Sequence, residues 1–292
     1  MTTPALGAVF LPHHPPERLR ETALAADQAG VDELWLWEDC FREGGVAAAS
    51  ATLAWTGRLR VGVGLLPVPL RNVALTAMEI ATLTRLFPGR LELAVGHGVQ
   101  EWMAQVGAKV ASPLTLLEEY TTALRALLSG ETISVEGRYV QLRDVALDWP
   151  PAKAPRILAG AVGDKTLRLA GRVADGTVLV GGTPPDRVTA ARGAVEAGRR
   201  EAGRPGAPTV VVFLMTATGP DAEARMAAEL RTWPGDLQLD HTVAGDAAAV
   251  AAAVQRWGEA GADTVVLQPT ADADPAGFAR FTGEQVRPLL AG

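Results

Sequence analysis

The chain has 292 residues, 48% of them hydrophobic and 21% charged, which is enough to fill a large core. A net charge of −6 argues against a nucleic-acid backbone as partner, and no apolar run reaches the roughly 18 residues that a membrane span needs. Cys40 is the only cysteine, so an intramolecular disulfide and a thiolate metal cage are excluded; with an N-terminus unlike a signal peptide, this fits the cytoplasm.

Short apolar runs alternate with helical patterns along the chain. Leu6–Leu11 predicts a buried strand, and Glu17–Ala29 a helix closed by Gly30. Glu33–Glu38 is the second strand, followed by a helix near Gly45–Trp55. Leu59–Leu66 is the third, followed by the helix Val73–Leu86, with Met78, Ala81 and Leu83 at near-helical spacing. Arg90–Gly96 is the fourth. The next helix has clear ends: Ser112 as N-cap, Pro113 in the first turn and Gly130 at the close. Leu116, Leu117, Tyr120, Leu124, Leu127 and Leu128 form its inward stripe.

The rhythm breaks at Ile133–Pro155. Alternation around Ile133, Val135, Tyr139, Val140 and Leu142, with Glu136-Gly137 between, predicts a small hairpin. Long insertions of this kind often act as lids, so cover over a barrel mouth is the expectation. The alternation resumes with strands at Arg156–Ala161, Gly176–Gly182, Thr209–Ala217 and Asp263–Thr270. The helices between and after them are Asp164–Ala170, Pro184–Glu201, one from Asp221, Asp246–Ala260 and Pro275–Leu290, with Thr232–Thr242 unpatterned. Eight strand–helix units predict an α/β fold, a TIM (β/α)8 barrel forming one domain over residues 1–292. An insertion at about residues 131–155 separates strands 4 and 5; a doubly wound open sheet is the alternative.

In such a barrel, function sits at the C-terminal strand ends. Glycine-bearing loops occur there at Gly62-Val63-Gly64, Gly96-His97-Gly98, Gly160-Ala161-Val162-Gly163 and Gly181-Gly182. Tight turns need glycine in any case, but bare main chain also admits a flat ligand. Gly160–Gly163 precedes a helix, whose free N–H groups suit a phosphate, and Gly181-Gly182 repeats the arrangement one strand later. Glu38 and Asp39 read either as a helix cap or solvated turn, or as proton-transfer groups beside a cofactor ring. His97, between two glycines, either contacts a ligand or caps its loop. Trp102 flanks a pocket or packs, and Trp35 and Trp37 pack; Arg71 is most simply a solvated arginine at a helix start. The chain holds only His13, His14, His97 and His241, with no His-x-His and no HExxH, so a catalytic metal is not expected. Neighbours on a regular strand point to opposite faces, so His13 and His14 are not both expected to aim inward.

Five blocks in order, DELWLWEDCF, RLRVGVGLLPVPLRNVALTAMEIATL, GRLELAVGHGVQEW, LAGAVGDKTLRLAGRVADGTVLVGG and VAGDAAAVAAAVQRWGEAGADTVVLQP, resemble the bacterial luciferase-like superfamily. The closer resemblance is to its coenzyme F420-dependent branch, which includes methylenetetrahydromethanopterin reductases. This resemblance implies a barrel oxidoreductase that binds coenzyme F420 at its mouth, with FMN as the alternative, and commonly a homodimer. It implies catalytic groups at Glu38, Asp39 and His97, and a non-prolyl cis peptide at Gly64–Leu65. It implies cofactor contacts at Gly64, Leu65, Gly96, His97, Gly98 and Trp102, and phosphate-side contacts at Gly160, Ala161, Val162, Gly163, Gly181 and Gly182. His13 and His14 fall on the substrate side. Three departures matter. Glu-Asp replaces the branch's Asp-His or Glu-His, Val99 stands where its sugar-phosphate dehydrogenases carry Glu, and their first-strand Glu gives way to the His13 region; glucose 6-phosphate is therefore disfavoured as substrate. An FMN-dependent monooxygenase and a flavin-holding barrel without turnover remain as rival expectations.

Overall fold

The computed structural model describes residues 3–233 and 237–290. Its strands are β1 (Ala5–Phe10), β2 (Glu33–Leu36), β3 (Arg60–Pro67), β4 (Leu91–Gly96), β5 (Ile133–Glu136), β6 (Gln141–Val145), β7 (Ile157–Gly160), β8 (Gly176–Leu179), β9 (Thr209–Thr218), β10 (Val243–Gly245) and β11 (Thr264–Pro269). Helices are α1 (Leu19–Ala29), α2 (Gly45–Trp55), α3 (Val73–Leu86), α4 (Gln100–Gln105), α5 (Pro113–Leu128), α6 (Asp164–Val173), α7 (Pro185–Glu201), α8 (Ala222–Leu230), α9 (Ala247–Glu259), α10 (Pro275–Arg280) and α11 (Arg287–Leu290).

All barrel pairings are parallel, in the order β11, β1, β2, β3, β4, β7, β8, β9, and β9 returns to β11. That closure makes an eight-stranded TIM barrel and removes the open-sheet alternative. Parallel strands covered on both sides read as continuous apolar runs, as the fully buried β4 and β11 do. Side chains then divide by parity. Leu6, Ala8 and Phe10 face the helices, whereas Val9, Trp35, Ala94, Leu158, Val178, Val211, Phe213 and Val266 fill the lumen.

Trp35 is the largest side chain in the lumen, and glycines make its space. A Cβ at Gly62 would overlap its ring, and one at Gly64 would come within 2.8 Å of it. Its indole N–H donates to the buried carboxylate of Glu33 at 2.8 Å. The β3–β4 register shifts between Val63 and Leu66, at the level of the Gly64–Leu65 peptide.

Two expectations need correction. The Ile133–Pro155 hairpin does form, as β5 and β6, but it packs along α5 instead of capping the mouth. Glu119 accepts the N–H groups of Arg138, Tyr139 and Val140, and the Ser112 N–H donates to the Tyr139 hydroxyl. Met78 is 58% exposed, so it does not share the buried face of α3 with Ala81 and Leu83. The final helix runs from Pro275 to Leu290 as expected, with a wider π turn over Phe281–Val286 between α10 and α11. Thr232–Thr242 falls partly outside the described residues, and the parallel strand β10, not foreseen, follows it beside β9. Among the described residues, no helix is long and apolar enough to cross a membrane.

Candidate active site

The C-terminal strand ends converge on a mouth whose floor is apolar, built from Leu11, Trp37, Leu65 and Phe213. Trp37 meets Phe213 edge-on at 5.4 Å between ring centroids, and Trp233 meets Trp37 at 6.5 Å. Met215 and Ala217 at the top of β9 are covered by Ala222 and Met226 of α8, so that sector of the rim is closed.

The two acids after β2 have separate environments. Glu38 is fully engaged: Arg71 Nε donates to Oε1 at 3.0 Å, Arg71 Nη2 to Oε2 at 2.8 Å, and the Gly45 N–H at the start of α2 to Oε2 at 2.7 Å. Arg71 also binds Glu79 at 2.8 Å, so it is a half-buried clamp and not the solvated residue expected. Among the described residues, Asp39 makes no such contacts. Burial pushes its carboxyl up, and the charge of Arg42 draws it only part of the way back.

His97 lies half-buried at the end of β4, with Nε2 3.4 Å from the Thr166 hydroxyl in the first turn of α6. Burial lowers its pKa against a small opposing effect of the Pro113 backbone, so the imidazole is neutral at pH 7. His13 and His14 lie beyond β1 in a turn, where strand parity no longer separates them; their rings meet at 4.2 Å. The Ala271 carbonyl is 2.7 Å from His13 Nε2. Burial, His13 and Arg18 keep His14 neutral against the pull of Asp274.

The glycine loops differ in what they approach. A Cβ at Gly96 would come within 2.5 Å of the Leu65 side chain, and one at Gly160 would overlap it. Leu65, following a cis Gly64–Leu65 peptide, therefore lies across both strand ends. Gly98 has φ +66° and packs on Pro67 and Met103; Trp102 is half-buried in α4. Gly181 abuts the Gln268 side chain, and Gly182, at φ +80°, abuts Leu237. Gly163 is different. It opens α6 with no side-chain cap, and a Cβ there would meet no atom within 4 Å. Val162 beside it is 66% exposed, whereas Ala161 is buried.

Among the described residues, six buried side-chain atoms at this mouth have no hydrogen-bond partner: His14 Nε2, Trp37 Nε1, Glu43 Oε1, His97 Nδ1, and both Nε2 and Oε1 of Gln268. Orphaned buried polar groups are costly, and their collection on five residues around one opening makes it the candidate ligand site. From sequence, Trp37 was expected only to pack, and Glu43 and Gln268 were given no role. The only available signals were the Trp35–Trp37 alternation, an acid four residues after Asp39, and a polar residue ending an apolar strand. No group of three His, Cys, Asp or Glu residues fit for a metal occurs among the described residues. Two clefts lie away from the mouth. One of about 720 Å³ is at the opposite barrel end, beside Arg60, Glu92 and Arg156; one of about 480 Å³ is on the flank, between Arg71 and Tyr139.

The sequence pattern of the luciferase-like monooxygenase family matches residues 2–280. The chain belongs to that family. Among curated members, 5,10-methylenetetrahydromethanopterin reductase of Methanolobus tindarius is 30% identical over 227 residues, covering 77% of this chain and 69% of that protein. An F420-dependent glucose-6-phosphate dehydrogenase of Nakamurella multipartita is 32% identical over 210 residues, or 63% of this chain and 60% of the relative. The chain thus spans less than two thirds of the second protein. Among solved structures, an F420-dependent secondary alcohol dehydrogenase in complex with an F420-acetone adduct superposes with a TM-score of 0.88. At 21% identity over 99% of both chains, that likeness establishes the barrel fold.

Proposed function

We propose that this family member is a coenzyme F420-dependent oxidoreductase that moves hydride between the deazaflavin and a small organic substrate. The observation that carries the reading is the set of orphaned polar atoms above an apolar floor, next to the unobstructed start of α6. A deazaflavin offers a flat ring for that floor and an anionic tail for the helix start. The methanopterin-reductase relative and the F420-dependent dehydrogenase relative support the choice of cofactor.

Gly160–Gly163, with the N–H groups of Asp164 and Lys165, would hold the phosphate, helped by the α6 dipole. Leu65 and Trp37 would support the ring from the lumen side. When bound, the cofactor supplies the hydride chemistry. The chain's part is to orient, to exclude water and to manage a proton. Asp39 is the proton-handling group, because its carboxyl has no partner among the described residues and burial raises its pKa against the pull of Arg42. Neutral His97 donates or accepts a hydrogen bond without adding charge. Glu38, clamped by Arg71, fixes the β2–α2 loop that carries Asp39. Gly181, Gly182, His13 and His14 border the same opening.

Fluorescence titration of the purified protein with F420 and with FMN tests the assignment. Micromolar binding of F420 and none of FMN is expected. The reverse order, or failure of both, overturns it.

A further inference from the structure

We propose that Glu43 is a second catalytic acid, which shares a proton with Asp39 and makes this mouth a proton donor to the oxygen of an aldehyde or ketone. The inference rests on the F420-dependent reading and names the substrate class for it.

The geometry is local. On the β2–α2 loop Asp39 opens a turn closed by the Arg42 N–H donating to the Asp39 carbonyl at 2.9 Å, and Glu43 directly follows that turn. Glu43 Oε1 is shielded from solvent and meets no donor. Asp39 is half-buried, and its carboxylate has no ion pair or hydrogen-bond partner among the described residues. The Asp39 charge acts on Glu43, and two partly desolvated carboxyls coupled in this way do not both ionise freely.

The electrostatics agree. Burial is the main influence raising both groups, and the Asp39 charge raises Glu43 further; Arg42 and the Glu43 backbone N–H oppose. No other charged group enters either balance. Glu38 is held by Arg71, and His14 responds to His13, Arg18 and Asp274. A structural role for Glu43 would require a partner for Oε1, as Glu38 has in Arg71 and Gly45, and among the described residues Oε1 has none.

The chemistry favours a carbonyl over a cationic acceptor. An iminium carbon takes hydride without needing a proton, so a poised acid pair would be idle there. At a carbonyl, hydride from the reduced deazaflavin forms the new C–H bond as the C=O π pair moves onto oxygen. The O–H bond then forms with the proton the pair shares, leaving both carboxyls as carboxylates. Solvent returns the proton to the pair.

Two measurements test the pair. The first needs no cofactor. Aspartate labelled with 13C at the side-chain carboxyl is followed by NMR against pH, with Asp39→Asn used to assign the Asp39 signal. In Glu43→Gln, Asp39 should titrate at lower pH than in wild type, because the neighbouring negative charge is gone. The second is reduction of a ketone and aldehyde panel by reduced F420. Glu43→Gln should lower kcat by about 10- to 100-fold, within the usual span for a general acid, while F420 affinity and KM stay near wild type. The alkaline limb of its pH profile should move to lower pH, and Glu43→Asp should recover part of kcat. An unmoved Asp39 titration, or a kcat for Glu43→Gln within twofold of wild type, overturns the pair. Failure of the wild type to bind F420 would instead remove the function proposed above and the donor role with it.

Discussion

If Glu38 is a clamp and not a proton carrier, replacing its partner should cost stability before it costs chemistry. Arg71 holds Glu38 through two parallel contacts of 3.0 and 2.8 Å, and the two side chains are 17% and 10% exposed. At an effective dielectric of about 20, unit charges 2.8 Å apart attract by about 6 kcal/mol before any cost is counted. Desolvation of both groups offsets much of that, so the net coupling should be about 2–4 kcal/mol. Arg71→Met leaves Glu38 with only the Gly45 N–H, and should lose about 3 kcal/mol. Glu38→Gln keeps the hydrogen-bonding shape and should lose about 1–2 kcal/mol. The double variant should be more stable than the sum of the two losses implies, by the coupling energy.

The assay is urea unfolding of wild type, both single variants and the double, with circular dichroism and tryptophan fluorescence required to coincide before energies are compared. Turnover is measured on the same preparations. Glu38→Gln should keep most of its kcat, while Asp39→Asn should lose it. A coupling below about 0.5 kcal/mol would show the clamp to be no more than a surface pair. A folded Glu38→Gln protein with collapsed turnover would return the proton to Glu38 and refute the assignment.

Two further outcomes follow from the same structure. Gly62→Ala forces a methyl into the Trp35 ring and should cost at least about 1–3 kcal/mol, whereas Gly163→Ala, open on all sides, should stay within about 0.5 kcal/mol of wild type yet weaken F420 about tenfold; equal stabilities for the two variants, or undiminished F420 binding by the second, would contradict this. Tyr120, on the buried face of α5, donates to the Thr76 hydroxyl of α3 at 2.6 Å, and burial pushes its phenol up to about 12. A raised phenol pKa favours the folded state only while the group is protonated, so stability should be level below about pH 10 and fall by up to about 2–3 kcal/mol between pH 10 and 12. Ultraviolet titration together with unfolding at each pH reads both, and a Tyr120 that ionises near 10 without loss of stability counts against the burial argument.

Much of the fold was legible because its signals are local. The helices Gly45–Trp55 and Val73–Leu86 have the ends that the pattern predicts, and Ser112 with Pro113 starts α5 as capping chemistry requires. Elements lacking local signals were missed. β10 is three residues long and exists only by pairing with the top of β9, and α4 is a six-residue turn behind the β4 loop. The hairpin was visible in its alternation, but its position was not, since that depends on Glu119 collecting three backbone N–H groups from its tip. Arg71 was misread for the same reason: its carboxylate partner lies 33 residues away.

The site shows the limit more sharply, through its glycines. A missing Cβ announces that something comes close, but not what. At Gly62 and Gly64 the close neighbour is Trp35, and at Gly96 and Gly160 it is Leu65. Both neighbours are side chains of this protein, so four positions that look like room for a ring are first of all room for the platform under it. Gly163 has the same composition signal and no protein neighbour at all. Only the three-dimensional neighbour separates a glycine that packs the scaffold from one that faces a ligand. The orphaned atoms of Trp37, Glu43, His97 and Gln268 make the complementary point, because a polar group is recognised as waiting for a ligand only after every protein partner has been ruled out in space. Sequence could place the mouth from strand ends; which of its residues belong to the scaffold and which to the substrate is decided by contacts between strands that lie far apart in the chain.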